Sequence, residues 1–255
     1  MTTNEVIVDV SQDWMLACEV QQAFMQAPCT ASDSLDYSAR CCQVRALGGD
    51  CYNFIPLIND RLAMVVGDAS GKGLAAALMI ANVQSSIRTA ASFTGDDLAA
   101  LLRTVNQQTY VSLAQGRYAT LFYGIFDGSA RTLRYVNAGH NPPIVIRRDG
   151  SIHWLETGGA PVGLFADAEY REGMVRLETG DLLVAFTDGL IEAANQDGEE
   201  WGVQGLLKAA ASEAQCSQDA RDLVNLIFNS MDDFCKGHQT DDATLAVVRV
   251  GSRVL

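Results

Sequence analysis

The chain has 255 residues, 48% of them hydrophobic, enough for one domain with a substantial core. Its formal net charge is −13, and its 18 Lys and Arg residues form no cluster that would track a phosphate backbone, which argues against a nucleic-acid partner. No apolar run reaches the roughly 18 residues of a membrane span, and the opening MTTNEVIVDVSQDW lacks the basic and apolar regions of an export signal. The expectation is a cytoplasmic protein with no membrane contact. Its 7 cysteines include no C-x-x-C pair and read as reduced, mostly buried thiols.

After an N-terminal tail of residues 1–12, Leu16, Val20, Ala23, Phe24 and Ala27 recur at helical spacing. They predict an amphipathic helix over 13–29 that ends near Pro28. Residues 35–47 and 51–58 read as strands around Gly48-Gly49, and RLAMVV (61–66) as a third strand buried on both faces, so the chain is expected to open as a β-meander. Two helices follow, from Lys72 to about Ala91 and from Asp96 to about Gln115. Ser70-Gly71 suit the entry turn of the first, and Thr94 and Asp96 suit the cap of the second.

Past Gly116 the period returns to strands: YATLFYGIFD, RTLRYVNAG, PPIVIRR and SIHWLE, with turns at Asp127-Gly128 and Asp149-Gly150. A looser segment over 157–170 contains GGAPVGLF. YREGMVRL and DLLVAFTDG are two more strands, residues 203–213 and 217–234 read as helices, and ATLAVVRV (243–250) closes as a strand. Strands and helices come in blocks and do not alternate as in a βαβ fold. Residues 13–255 therefore read as a single α+β domain in which helices cover antiparallel sheets.

The stretch VVGDASGKG (65–73) invites a phosphate-loop reading, which fails. Val66 stands where a Walker A loop needs glycine, and Gly73 where it needs Ser or Thr. Asp68 two residues before Ser70 also rules out a nucleophile elbow, and no cysteine opens a C-x5-R loop. What remains is an aspartate at the end of a buried strand, followed by small residues. It could hold a metal or merely cap the next helix.

Three further aspartates occupy similar positions: Asp50 follows Gly48-Gly49, Asp188 ends LLVAFTDG, and Asp241, with Asp242 beside it, precedes ATLAVVRV. Carboxylates gathered from such loops would repel one another unless a divalent cation lay among them. Two such ions balance four aspartates and lower the pKa of a shared water. All-oxygen ligation favours Mg2+ or Mn2+ over zinc, and no H-E-x-x-H is present.

Six ordered blocks carry a resemblance: GGDCYN (48–53), VVGDASGKGLAAALMIA (65–81), NAGHNPPIVIR (137–147), GGAPVGLF (158–165), GDLLVAFTDGLIEAANQDGEEWG (180–202) and DDATLAVVRV (241–250). Together they resemble the SpoIIE/RsbU branch of the metal-dependent protein serine/threonine phosphatases, relatives of eukaryotic type 2C. The resemblance implies two packed antiparallel sheets flanked by helices, with two Mn2+ or Mg2+ ions at one edge. It implies that Asp68 bridges both ions, that Asp50 and the carbonyl of Ala69 complete one site, and that Asp188 and Asp241 complete the other. The implied reaction is hydrolysis of phosphoserine or phosphothreonine on a protein, by in-line attack of a metal-bound hydroxide without a covalent intermediate. The implied substrate is a STAS-domain anti-anti-sigma factor.

No general acid for the leaving oxygen is evident. His140 in AGHNPP is a candidate, against a structural role fixing the turn before Pro142-Pro143, and Lys72 either meets a phosphate or solvates its helix start. Asp242 reads as a brace for the loop. Asn53 stands where family members often carry a second acid, and CCQVRALGG replaces a more basic lead-in. The helix over 13–29 resembles a linker helix and would bind a regulator or a second copy, unless it packs on its own domain. Two rival readings are a catalytically silent phosphoprotein-binding module, against which the four intact aspartates argue, and a metal-dependent nuclease, against which the acidic total argues.

Overall fold

The structure, a computed structural model, describes residues 10–25, 34–91, 96–113 and 116–251. Its elements in chain order are α1 (Val10–Phe24), β1 (Leu35–Cys42), β2 (Asp50–Leu57), β3 (Arg61–Ala69), α2 (Leu74–Ala91), α3 (Leu98–Ser112), β4 (Ala119–Asp127), β5 (Thr132–Ala138), β6 (Ile144–Ile146), β7 (Ile152–Trp154), β8 (Gly158–Gly159), β9 (Gly173–Arg176), β10 (Leu182–Phe186), α4 (Asp188–Ile191), α5 (Gly202–Cys216), α6 (Ala220–Cys235) and β11 (Ala243–Val250). A five-stranded sheet runs β1-β11-β10-β6-β7. A six-stranded sheet runs β2-β3-β4-β5-β8, with β9 also paired to β5.

The period-2 alternation of side chains explains the layering. Along β3, Leu62, Met64 and Val66 point into a core shared with Phe54, Phe122, Leu183, Ala185, Ala246 and Val248, between the two sheets. Ala63, Val65 and Ala69 point the other way, onto Met79, Ile80 and Val83 of α2 and Leu101, Leu102 and Val105 of α3. Leu182, Val184 and Phe186 of β10 likewise face Leu223, Ile227 and Phe228 of α6. The order is helices, sheet, sheet, helices. A strand such as RLAMVV is buried on both faces because one face meets the other sheet and one meets a helix layer.

The expected opening meander is not formed. β1 pairs antiparallel with β11 along its whole length, from Leu35 opposite Val250 to Cys42 opposite Ala243, while β2 pairs with β3 in the other sheet. Gly48 and Gly49 therefore carry the chain from one sheet to the other and do not close a hairpin. The cap of α3 also differs: the Asp97 carboxylate accepts from the Ala100 N–H at 2.7 Å, while Asp96 pairs with Arg61 at 2.6 Å. Thr94 lies outside the described residues, as do the segment around Pro28 and the first nine residues of the tail. α1 begins at Val10, not at residue 13, and Leu16 and Val20 of its predicted stripe are exposed among the described residues. No described helix is long and apolar enough to cross a membrane.

Candidate metal centre

Asp50 opens β2 and lies directly opposite Asp68, near the end of β3, in the antiparallel register. Directly opposed residues put their side chains on the same face, so the register alone sets two carboxylates side by side. Asp50 is only 1% exposed. Its Oδ2 accepts hydrogen bonds from the hydroxyls of Thr187, at the end of β10, and Thr244, in β11, each at 2.7 Å. The Thr244 N–H in turn donates to the Thr187 hydroxyl at 2.8 Å. A carboxylate from the six-stranded sheet is thus held by two threonines of the five-stranded sheet.

Asp188 starts α4, and its Oδ1 accepts from the Gly189 N–H at 2.8 Å. A side chain at Gly189 would run into the backbone carbonyl of Asp242, so this tight turn brings Asp188 against the loop before β11. In that loop, Asp242 accepts from Val44 N–H at 2.9 Å and from Gly49 N–H at 3.0 Å, the bracing expected of it. Asp241 accepts from the Asp242 N–H at 2.9 Å through Oδ1, and its Oδ2 lies 2.5 Å from the Lys72 ammonium.

Burial pushes the Asp68 carboxyl up to about 7, with the charges of Asp188, then Asp241 and then Asp242 adding to it, although the hydrogen bond with Asp50 opposes the rise. Asp50 is also raised, by burial first and by Asp68 second. A cation among these groups would remove the repulsion. The backbone around them is shaped to let a ligand in: a Cβ at Gly49 would lie 3.1 Å from the Ala69 carbonyl oxygen and 3.2 Å from Asp68 Oδ1. The residues present therefore fit a hard, oxygen-liganded divalent cation.

The structure thus brings Asp50 and Asp68 into contact and sets Asp188 and Asp241 within electrostatic reach of them, with the Ala69 carbonyl beside Asp68. It does not close them: among the described residues, no three or more His, Cys, Asp or Glu side chains form a ready-made ligand cage. Asp241 faces Lys72, and Asp188 bonds to its own helix start.

His140 takes the structural role. It is 5% exposed, its Nδ1 lies 3.0 Å from the Thr120 hydroxyl, and its N–H donates to Asn137 Oδ1 at 2.7 Å. Burial drives its pKa down to about 4, with the Phe186 backbone opposing, so near neutral pH it holds no spare proton. Asn53 lies on the face of β2 opposite to Asp50, toward the helix layer, and does not enter the site.

Sequence reasoning missed Thr187 and Thr244, though the first adjoins Asp188 and the second follows the Asp241-Asp242 pair. It also missed Gln21 of α1. This buried side chain donates from Nε2 to the Gly48 carbonyl at 2.7 Å and accepts the Gly48 N–H through Oε1 at 3.2 Å. Nothing local distinguishes it from an exposed helix glutamine.

Residues 58–251 match the family model described as Stage II sporulation protein E (SpoIIE), and the chain belongs to this family. The matched span includes Asp68, Ala69, Asp188 and Asp241 and begins after Asp50. The phosphoserine phosphatase RsbU of Bacillus subtilis (strain 168) is 26% identical over 251 residues, 97% of this chain and 73% of RsbU. The SiaA-PP2C domain of Pseudomonas aeruginosa shares the fold with a TM-score of 0.82 at 21% identity, covering 94% of this chain and 96% of that one. The catalytic domain of the serine/threonine phosphatase PstP, solved in complex with 2 manganese ions, superimposes with a TM-score of 0.62 at 18% identity, covering 86% of this chain and 99% of that one.

Proposed function

We propose that this phosphatase domain of the SpoIIE family hydrolyses phosphoserine or phosphothreonine on a regulatory protein, with two divalent cations, Mn2+ or Mg2+, held by Asp50, Asp68, the Ala69 carbonyl, Asp188 and Asp241. The observation that carries the reading is the facing pair of the buried Asp50 and the half-buried Asp68, two carboxyls whose pKa values both rise. The likeness to a phosphoserine phosphatase and to a manganese-bound phosphatase domain supports it. When bound, the two ions supply an activated water and neutralise charge on the phosphoryl oxygens.

The protein's own part is positional. Thr187 and Thr244 fix the Asp50 carboxylate, and the β2–β3 register presents Asp68 beside it. Asp242 ties the loop that carries Asp241 to Gly49, so the candidate ligands from both sheets meet at one rim. His140 is buried against Thr120 and neutral, which makes it a poor proton donor for the leaving serine oxygen. The substrate class we assign is a STAS-domain anti-anti-sigma factor, by kinship with the SpoIIE/RsbU branch. The uncovered apolar residues of α1 are assigned to a regulator or a second copy.

Metal-stripped protein should recover hydrolysis of an aryl phosphate on addition of Mn2+, and Asp68→Asn should abolish it. Equal turnover by the variant would refute the assignment and favour a silent phosphoprotein-binding module. Incubation with phosphorylated STAS proteins from the same genome tests the substrate class.

A further inference from the structure

We propose that the Lys72 ammonium is a resident counterion of Asp241, which a cation binding at the Asp188–Asp241 end must displace, so that Lys72 sets the weaker of the two cation affinities. This rests on the metal reading given above. The two ends of the site are satisfied differently. The buried Asp50 carboxylate is held by the neutral hydroxyls of Thr187 and Thr244. Asp241 is held by a full positive charge, with Nζ of Lys72 at 2.5 Å from Oδ2 and at 3.4 Å from the Thr240 carbonyl oxygen. Its other oxygen, Oδ1, already accepts the Asp242 N–H.

Each oxygen of Asp241 thus already has one partner. A divalent ion at roughly 2.0–2.6 Å from Oδ2 would sit against the ammonium that already touches the same oxygen. The two cations would lie within a few ångströms and repel. That repulsion favours exchanging one positive partner of Asp241 for the other.

The fold makes the exchange cheap. Lys72 lies in the short turn between β3 and α2, flanked by Gly71 and Gly73 with φ of +98° and +71°, and contributes no rung to strand or helix. Its side chain is 51% exposed, so the ammonium can swing into water without leaving a buried charge behind. The turn belongs to the six-stranded sheet, and Asp241 precedes β11 of the five-stranded sheet. Lys72 therefore ties the two sheets together at the same rim where a bound cation would tie them. It keeps the cleft assembled before metal arrives and competes with metal once it does.

Isothermal titration of the metal-stripped full chain with Mn2+ tests the idea without reference to turnover. Wild-type protein should bind in two steps. Lys72→Met, which keeps the aliphatic stem and removes the charge, should tighten the weaker step by roughly threefold to fivefold, the range set by a partly exposed ion pair. Lys72→Gln should do the same, and Lys72→Arg should leave the step as in wild type. Thermal melts by circular dichroism confirm that each variant is folded.

A weaker step that is unchanged or loosened in both neutral variants overturns the counterion role alone, provided that wild type binds and Asp68→Asn does not. Wild-type protein that takes up no manganese overturns the metal reading along with it.

Discussion

The Asp50 end and the Asp241 end of the cleft use the same side chain in opposite ways. Asp50 is 1% exposed, is wedged between the sheets and has its hydrogen bonds supplied by threonines that cannot move without disturbing β10 and β11. Asp241 sits on a loop, a third of its side chain exposed, against a lysine that is itself half in water. A site with one preset end and one adjustable end can keep its shape while empty and still close around a ligand. The cost is concentrated at the preset end, where burial and like charge raise both carboxyl pKa values.

The hardest blow to this contrast is Asp68→Asn, since Asp68 faces Asp50 on one side and the charges of Asp188 and Asp241 on the other. Phosphatase activity should fall by at least roughly 10^2- to 10^3-fold, while the metal-free protein melts at a higher temperature because one repelling charge has gone. A melting temperature that drops would show that the carboxylates do not strain the empty site.

Next in size is removal of the hydroxyls at the preset end. Thr244→Val leaves the Asp50 carboxylate with one hydroxyl donor fewer in a buried position, which should cost about 1.5–3 kcal/mol of stability, read from chemical denaturation. An equal effect from a neutral substitution of Lys72 would erase the distinction between the ends.

His140, whose ring meets the Thr120 hydroxyl opposite Asp68, gives a pH signature. The free imidazole of His140 protonates near 6.5, whereas the buried one waits until about 4. As pH falls, the unfolded chain therefore takes up this proton first, and the His140 contribution to stability is lost progressively between those two values, opposed in the metal-free protein by the raised Asp50 and Asp68 carboxyls. Near pH 5 the loss should be about 2 kcal/mol, and His140→Asn should remove that part of the difference between melts near pH 7 and near pH 5. A variant that keeps the whole difference would place its source elsewhere. The smallest effect belongs to a site far from the cleft: Asp97→Ala removes the cap of α3 and should cost about 1 kcal/mol with turnover unchanged.

How much of this could be read from residue order depended on the range of the interaction. The helices over 74–91 and 98–112 and the β4–β5 and β6–β7 hairpins follow from local periodicity and turn residues, and the structure forms them within a few residues of expectation. The pairing of β1 with β11 joins Leu35 to Val250, and no local pattern marks a partner so distant. A hairpin at Gly48-Gly49 was the default, and the need to cross between sheets overrode it. The four candidate aspartates stood out because each lies at or near a strand end beside small or turn residues. Their supports were not, since a buried threonine in β11 and a buried glutamine on α1 have the same spelling as exposed ones. Lys72 was ambiguous until the loop before β11 came within reach of it.

The hydrogen bonds between Gln21 and Gly48 decide where a shortened version of this protein can begin. Trimming the chain to Leu35, the first strand residue, would look harmless in a diagram of the sheets. It would strip the partner from one amide and one carbonyl two positions ahead of Asp50, at the buried Gly48. Fragments prepared for crystallography or titration should keep the first helix, so that the backbone leading into Asp50 keeps its partners.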